Sequence, residues 1–248
     1  MRSPHGHRAG SLRLLLLLAF AGVLALSLGV GRAGSAAVGS QAPAFTFAGS
    51  GELDELSTPV RALPSASAKV ITRLPQFRPD YRPMTVLALS VRKSHGKPAW
   101  YKITVPGRPN GRTGWVRASQ VSIYPIPWQV VVFRGSRVIQ LWKDKKLVYT
   151  NRVAVGAPGM ESPIGLYYVT ARFKPVKEAY LGAFAFETSA YSNLSEWPGG
   201  GVVGLHGWND PSVLGKAISH GCIRVSNTTA AFLRDRIPLG TPIRVVAT

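Results

Sequence analysis

Beyond its first 37 residues this chain has only short apolar pieces, broken by turn signals at close intervals. The pieces 84–91, 100–105 and 114–121 are separated by Pro106-Gly107 and Asn110-Gly111, dipeptides that favour tight turns. Past Pro125-Ile126-Pro127 come 128–133, 138–142, 147–155, 165–171, 202–206 and 242–246, which alternate or form short β-branched runs. The 26 glycines and 19 prolines fit the same picture of many turns and few long elements. One helix is predicted: Asn227 caps it, residues 228–236 form its turns, and Pro238-Leu239-Gly240 stops it. Arg234 and Arg236 near its end suit the helix dipole. No self-similarity at a period of about 20 to 50 residues indicates a repeat protein. The chain therefore reads as mainly β. A small barrel over 52–124 follows a Gly/Ala/Ser-rich linker over 38–51, and a larger β unit with one or two short helices covers 128–248.

The first 37 residues read as an export signal. Arg2, Arg8 and Arg13 precede an apolar run over 14–30, and Ala33-Gly34-Ser35-Ala36-Ala37 offers cleavage sites. The run lies at the lower edge of what spans a bilayer, so an uncleaved membrane anchor is the competing reading. No cysteine follows it, which excludes a lipid-modified N-terminus. The formal charge is +19, from 30 basic and 11 acidic residues. Cleavage removes Arg2, Arg8, Arg13 and Arg32 and no acid, leaving 26 basic against 11 acidic residues and a charge of +15. Such a surface aids solubility, and outside the cytoplasm it also fits an anionic cell wall or membrane. Nucleic acid is excluded as a partner by export and by the scatter of the basic residues.

Cys222 is the chain's one cysteine, so no intramolecular disulfide forms. A lone thiol in an exported protein is a buried small hydrophobe or a nucleophile. Its neighbours, Ser219-His220-Gly221-Cys222-Ile223-Arg224, are polar company for a core cysteine. A free thiol ionises near pH ~8.5, so at neutral pH an adjacent imidazole is needed to take the proton or lower that value. Gly221 removes a side chain beside the nucleophile and lets backbone N–H groups approach a developing oxyanion, worth roughly 3 kcal/mol per donor. A second histidine, His206, ends an apolar strand in Gly204-Leu205-His206-Gly207. Alone it reads as a strand-end histidine satisfied by hydrogen bonds. The segment between the histidines offers a loop over the site. His206, His220 and Cys222 are also three candidate zinc ligands, but the paired close spacings of a zinc site are missing, so no metal is expected. Neither a phosphate loop nor a dinucleotide fingerprint is present, and no cofactor is expected.

The stretch from His206 through SHGCIRV resembles the L,D-transpeptidase (YkuD-type) catalytic domain, in which a His-Gly precedes Ser/Thr-His-Gly-Cys by a similar spacer. The resemblance continues in Val153-Ala154-Val155-Gly156, in Glu161-Ser162-Pro163-Ile164-Gly165 and in the C-terminal PLGTPIRV, and so covers essentially the whole second unit. Ser162 departs from it, since threonine before that proline is usual; the expected effect is on turn packing more than on chemistry. Upstream, Trp100-Tyr101-Lys102-Ile103 followed by PGRPNGRTGWV resembles the bacterial SH3-like domain over roughly 70 residues. The first resemblance implies a YkuD-type β-sandwich with Cys222 as nucleophile and His206 as general base. It implies that the Gly207 carbonyl orients the imidazole. His220, Gly221 and Ser219 would shape the oxyanion and substrate site, and Arg224 would hold a substrate carboxylate. Which histidine is the base does not follow from the residues alone. The implied activity is acyl transfer between peptidoglycan stem peptides in the cell wall, through a thioester and with no cofactor. Carbapenems are the implied inhibitors. With an ordinary imidazole as base, activity is expected to rise near pH ~6.5.

Two other classes compete. Sortases share the order His, Cys, Arg, but their histidine lies far upstream and their cysteine follows a different strand. Cys-His wall peptidases place the cysteine first. A non-enzymatic wall-binding protein has no need to keep Cys222, His206 and His220 together.

Overall fold

The structure, a computed structural model, describes residues 46–176, 179–196 and 199–248. The export signal, the alternative anchor and most of the 38–51 linker lie outside the described residues. Among the described residues no helix is long and apolar enough to cross a membrane.

The chain is mainly β. Its first seven strands are β1 (Gly49–Leu53), β2 (Ser57–Arg61), β3 (Val70–Pro75), β4 (Thr85–Ser94), β5 (Lys97–Thr104), β6 (Thr113–Arg117) and β7 (Val121–Tyr124). They form one sheet in the order β3-β2-β6-β5-β4-β1-β7. Its core is Leu53, Val60, Leu74, Val86, Ala88, Ile103, Val105, Val116 and Val121. These come from alternate positions of the short apolar runs, as period-two patterning requires. Strand β1 begins inside the stretch expected to be a linker. The glycines that read as linker signals serve close backbone approach instead: a Cβ on Gly51 would lie 1.6 Å from the Ser122 carbonyl oxygen on β7.

The remaining strands are β8 (Trp128–Phe133), β9 (Val138–Lys143), β10 (Lys146–Arg152), β11 (Val155–Gly156), β12 (Gly165–Phe173), β13 (Ala185–Tyr191), β14 (Val202–Trp208), β15 (Ala217–Ser219), β16 (Ile223–Ser226) and β17 (Pro242–Val246). Eight of them form a sheet in the order β10-β9-β8-β17-β12-β13-β14-β16, and β11 pairs with β15. The α-helix α1 spans Asn227–Arg234. It ties the two ends of the large sheet together. Phe232 stacks on Tyr149 of β10 at 4.3 Å, and the Tyr149 and Thr229 hydroxyls are 2.9 Å apart. On its other side α1 packs against β14 and β16. The sheet therefore curls around the helix and encloses one core, with Val130, Ile139, Val169, Leu205, Ile223 and Leu233 among its members.

The helix begins one residue away from the expected cap. Ser226 is the N-cap, its hydroxyl accepting from the Thr229 N–H at 3.1 Å. Asn227 instead ties neighbouring segments to the helix start. Its side-chain oxygen accepts from the Ala183 N–H at 2.8 Å, and its amide donates to Asn209 at 2.8 Å. The two sheets pack within one compact unit. The Tyr168 hydroxyl of β12, fully buried, donates to the Thr85 carbonyl of β4 at 3.0 Å.

Candidate active site

Strands β14 and β16 run parallel, with Leu205 opposite Ile223 and His206 opposite Arg224. Cys222 immediately precedes β16 and so arrives level with Gly204. The Gly204 N–H donates to the Cys222 Sγ at 3.3 Å. Gly204 and His206 are two residues apart on one strand and face the same side. A Cβ on Gly204 would lie 3.7 Å from His206 Cδ2 and 3.8 Å from Cys222 Sγ. Glycine thus leaves open a space that both the thiol and the imidazole border. Gly204 is a residue the sequence reading passed over; its one signal was a glycine inside an apolar strand, two residues before a histidine.

His206 is 3% exposed. Its Nδ1 lies 2.8 Å from the Gly207 carbonyl oxygen. A carbonyl only accepts, so Nδ1 carries the proton and Nε2 carries the lone pair. Burial pushes the imidazole down to about 4, against the pull of the Gly207 and Leu181 carbonyls, while the nearby Arg224 guanidinium pushes the same way as burial. That direction, below the ordinary value near ~6.5, favours a neutral ring at neutral pH. Burial pushes the Cys222 thiol up, opposed by the Gly204 N–H and by Arg224. The resting pair is a neutral thiol beside a neutral imidazole.

The turn before Cys222 is held by two serine hydroxyls. Ser219 donates to the Cys222 carbonyl at 2.5 Å and accepts from the Gly221 N–H at 3.3 Å. Ser162, fully buried, donates to the Gly221 carbonyl at 2.7 Å and accepts from the Gly156 N–H at 3.0 Å. Ser162 therefore braces the turn that carries Cys222, and the turn packing expected of this position is that of the candidate site itself. Gly221 sits at φ 112°, a conformation that a side chain would strain.

His206, His220, Cys222, Arg224 and Gly204 all line one cavity of about 440 Å³. The Arg224 guanidinium lies over the Trp208 ring at 3.7 Å from its centre, and its buried Nε has no partner. Trp208 also meets the His206 ring edge-on at 5.9 Å. One wall of the cavity comes from the first sheet's side: Arg78 and Asp80, in the loop between β3 and β4, line it together with Glu187 of β13. The sequence reading named none of the three. Gly207, whose carbonyl contacts the imidazole, and Ser219 stand behind the cavity rather than in its lining. Among the described residues, no three His, Cys, Asp or Glu side chains come together as a metal site would need.

The family model for the YkuD L,D-transpeptidase catalytic domain matches residues 127–245. A YkuD protein of Bacillus licheniformis, provisionally named as an L,D-transpeptidase, is 31% identical over 139 residues, 53% of this chain and 78% of that protein. Its Bacillus subtilis counterpart is 27% identical over 168 residues, 67% of this chain and 88% of the relative. Among solved structures, Bd1075 of Bdellovibrio bacteriovorus overlaps at a TM-score of 0.40 with 25% identity, covering 48% of each chain. An L,D-transpeptidase of Mycobacterium smegmatis overlaps at 0.40 with 14% identity, covering 66% of this chain and 90% of that one. This chain thus spans about half of the Bdellovibrio protein and most of the mycobacterial one. With the matched segment running from before β8 into β17, and with the Bacillus relative matched over most of its length, the chain belongs to the YkuD family of L,D-transpeptidase catalytic domains.

Proposed function

We propose that this protein is an exported cysteine acyltransferase that forms 3→3 cross-links between peptidoglycan stem peptides. The observation that carries the reading is that the Cys222 Sγ and the His206 ring both border the open space at Gly204 and line one cavity. His206 Nε2 takes the thiol proton as Sγ attacks the carbonyl of the third residue of a tetrapeptide donor stem. The tetrahedral intermediate collapses, its C–N bond breaks, and the imidazolium returns the proton to the departing D-alanine amine. Cys222 is left as a thioester. An amine on a neighbouring stem then attacks that carbonyl, with His206 again taking the proton, and the thiol is released. Both groups start neutral, so proton transfer and attack are coupled and no preformed thiolate is required.

In this reading the Gly204 N–H and the turn at His220-Gly221 flank the developing oxyanion, and Arg224, held over Trp208, receives a substrate carboxylate. Water in place of the amine gives L,D-carboxypeptidase activity at the same site. Residues 52–124 are read as an SH3-like unit that positions the second unit, 128–248, on the wall. The export signal and the charge of +15 beyond it suit an anionic cell wall.

Intact-mass spectrometry tests the reading. The protein is incubated with a tetrapeptide stem, and separately with a carbapenem, beside Cys222→Ala. The expected result is an acyl adduct on the wild type alone, with D-alanine released from the stem. A thiol that reacts with small alkylating agents but takes no adduct from either compound would overturn it.

A further inference from the structure

The side-chain contact that joins the first sheet's loops to the catalytic cavity is a two-pronged one. Arg78 donates to both oxygens of Glu187, at 2.9 and 2.7 Å. Its side chain is 16% exposed and that of Glu187 26%. Both bonds leave one guanidinium nitrogen, Nη2, so the contact is a charge-assisted pair centred on the carboxylate rather than two parallel bonds. The Arg78 turn is itself built to hold. Phe77 and Pro83 bridge across it, the Arg78 N–H donates to the Arg82 carbonyl at 2.8 Å, and Asp80 accepts from the Arg82 N–H at 3.2 Å. A second loop of the same sheet is pinned nearby. Arg108 donates to the Gly200 carbonyl at 3.0 Å, and Asn110 exchanges bonds with both the N–H and the carbonyl of Tyr191.

The register gives the pair its meaning. Glu187 on β13 is paired directly with Gly204 on β14. Gly204 is the residue whose N–H meets the Cys222 Sγ and whose missing side chain opens the thiol's space. Directly opposed residues of an antiparallel pair share a face of the sheet. The Glu187 carboxylate therefore stands on the same cavity wall as the nucleophile. A bare carboxylate there would oppose negative charge on sulfur and on the oxyanion. The charged and titratable groups facing Cys222 across the cavity are His206, His220 and Arg224 from its own half, Glu187 from β13, Tyr180 from the segment before β13, and Arg78 and Asp80 from the first sheet's side. Asp80 is shared between Arg78, at 3.3 Å, and Arg82, at 3.5 Å, whereas Arg78 is the cation bonded to Glu187.

We propose that Arg78 is a positioning residue of the active site: through Glu187 it fixes and neutralises the wall beside Cys222, so that the first sheet completes the catalytic cleft. The role of this wall in stem-peptide turnover rests on the reading proposed above. Its effect on the thiol does not.

The test follows the pH dependence of Cys222 alkylation by iodoacetamide in the intact protein. Arg78→Ala is expected to move the midpoint up by about one unit, and Arg78→Lys to restore part of that shift. Glu187→Gln, which keeps the arginine, is expected to move it down. The double variant Arg78→Ala/Glu187→Gln should return close to the wild type, a pattern that lost packing alone would not give. Arg73→Ala, an exposed arginine on β3, is the control and should leave the midpoint in place. If Arg78→Ala fails to fold, Glu187→Gln still decides. An unmoved midpoint in either single variant, or a double variant that keeps the Arg78→Ala shift, overturns the proposal. A wild type that alkylates normally but releases no D-alanine from the stem overturns the transpeptidase reading and leaves this result standing.

Discussion

Every strand pair in the first sheet is antiparallel, from β2–β3 to β1–β7. The second sheet contains two parallel pairs, β8–β17 and β14–β16. Antiparallel neighbours close with a tight turn, whereas parallel neighbours need a crossover of a dozen residues or so. Between β14 and β16 that crossover is residues 209–222, and its last residue is Cys222. It starts just past His206 and ends beside Gly204. The candidate site thus sits where the sheet changes its pairing, because there the chain leaves one strand and returns level with it. The first sheet has no parallel pair and so no such return; what it contributes is loops at the rim, among them the connection between β3 and β4, which are not neighbours in the sheet.

The largest difference between the two regions is expected at His206. His206→Gln should lower D-alanine release by about 10²- to 10⁴-fold, the usual worth of a general base. As the proposed base, the same ring should set the acid limb of the wild-type rate. With its value held down to about 4, the rate is expected to be level from pH 5 to 8 and to fall about tenfold per unit below 4. A limb centred near pH ~6.5 would mean that the ring is solvated during turnover. Stability carries the matching sign. The unfolded chain takes up this proton near pH ~6.5 and the fold resists it until about 4, so stability falls as pH drops through that window, by about 3 kcal/mol from this group. A pH series of urea midpoints measures it.

Ser162→Ala should come next. It leaves the Gly221 carbonyl and the Gly156 N–H without their partner in a fully buried place, which costs about 1 to 3 kcal/mol. Because Gly221 adjoins the nucleophile, the rate should fall with it, by about tenfold. Ser162→Thr keeps the hydroxyl and should retain most of the activity. Stem turnover and a thermal melt on both variants separate the two effects; full activity in Ser162→Ala would show that the turn holds without it.

The thiol and its histidines were legible in the sequence because they are rare. The single cysteine stands out in any reading, and of the four His-Gly pairs, at 5, 95, 206 and 220, the last two are picked out by their spacing before it; the strands predicted at 128–133 and 242–246 coincide with β8 and β17. Strand β13 was not legible. AFETSAY mixes small and polar residues with a glutamate, a composition that carries little strand signal, and it forms because β12 and β14 flank it. The Arg78–Glu187 pair was hidden for a simpler reason. Its members are 109 residues apart, and periodicity reports only on near neighbours. The glycines misled in the opposite direction. At Gly49 and Gly51 they looked like linker, yet they lie in a strand where neighbouring backbone leaves no room for a Cβ.

The smallest expected effect sharpens the comparison most, because it has the opposite sign. Around the catalytic turn the buried hydroxyls of Ser162 and Ser219 are bonded, and each bond holds a backbone group of the turn. In the first sheet Thr58, fully buried on β2, has a hydroxyl with no partner. An unpaired buried hydroxyl is a cost, and valine has the same shape without it. Thr58→Val is therefore expected to raise stability by about 1 kcal/mol, read as a higher urea midpoint, while D-alanine release is unchanged. Its β-branched side chain suits the strand as well as threonine does. A lower midpoint would mean that this hydroxyl is bonded after all, and the contrast between a sheet held by packing and a turn held by hydroxyls would fall.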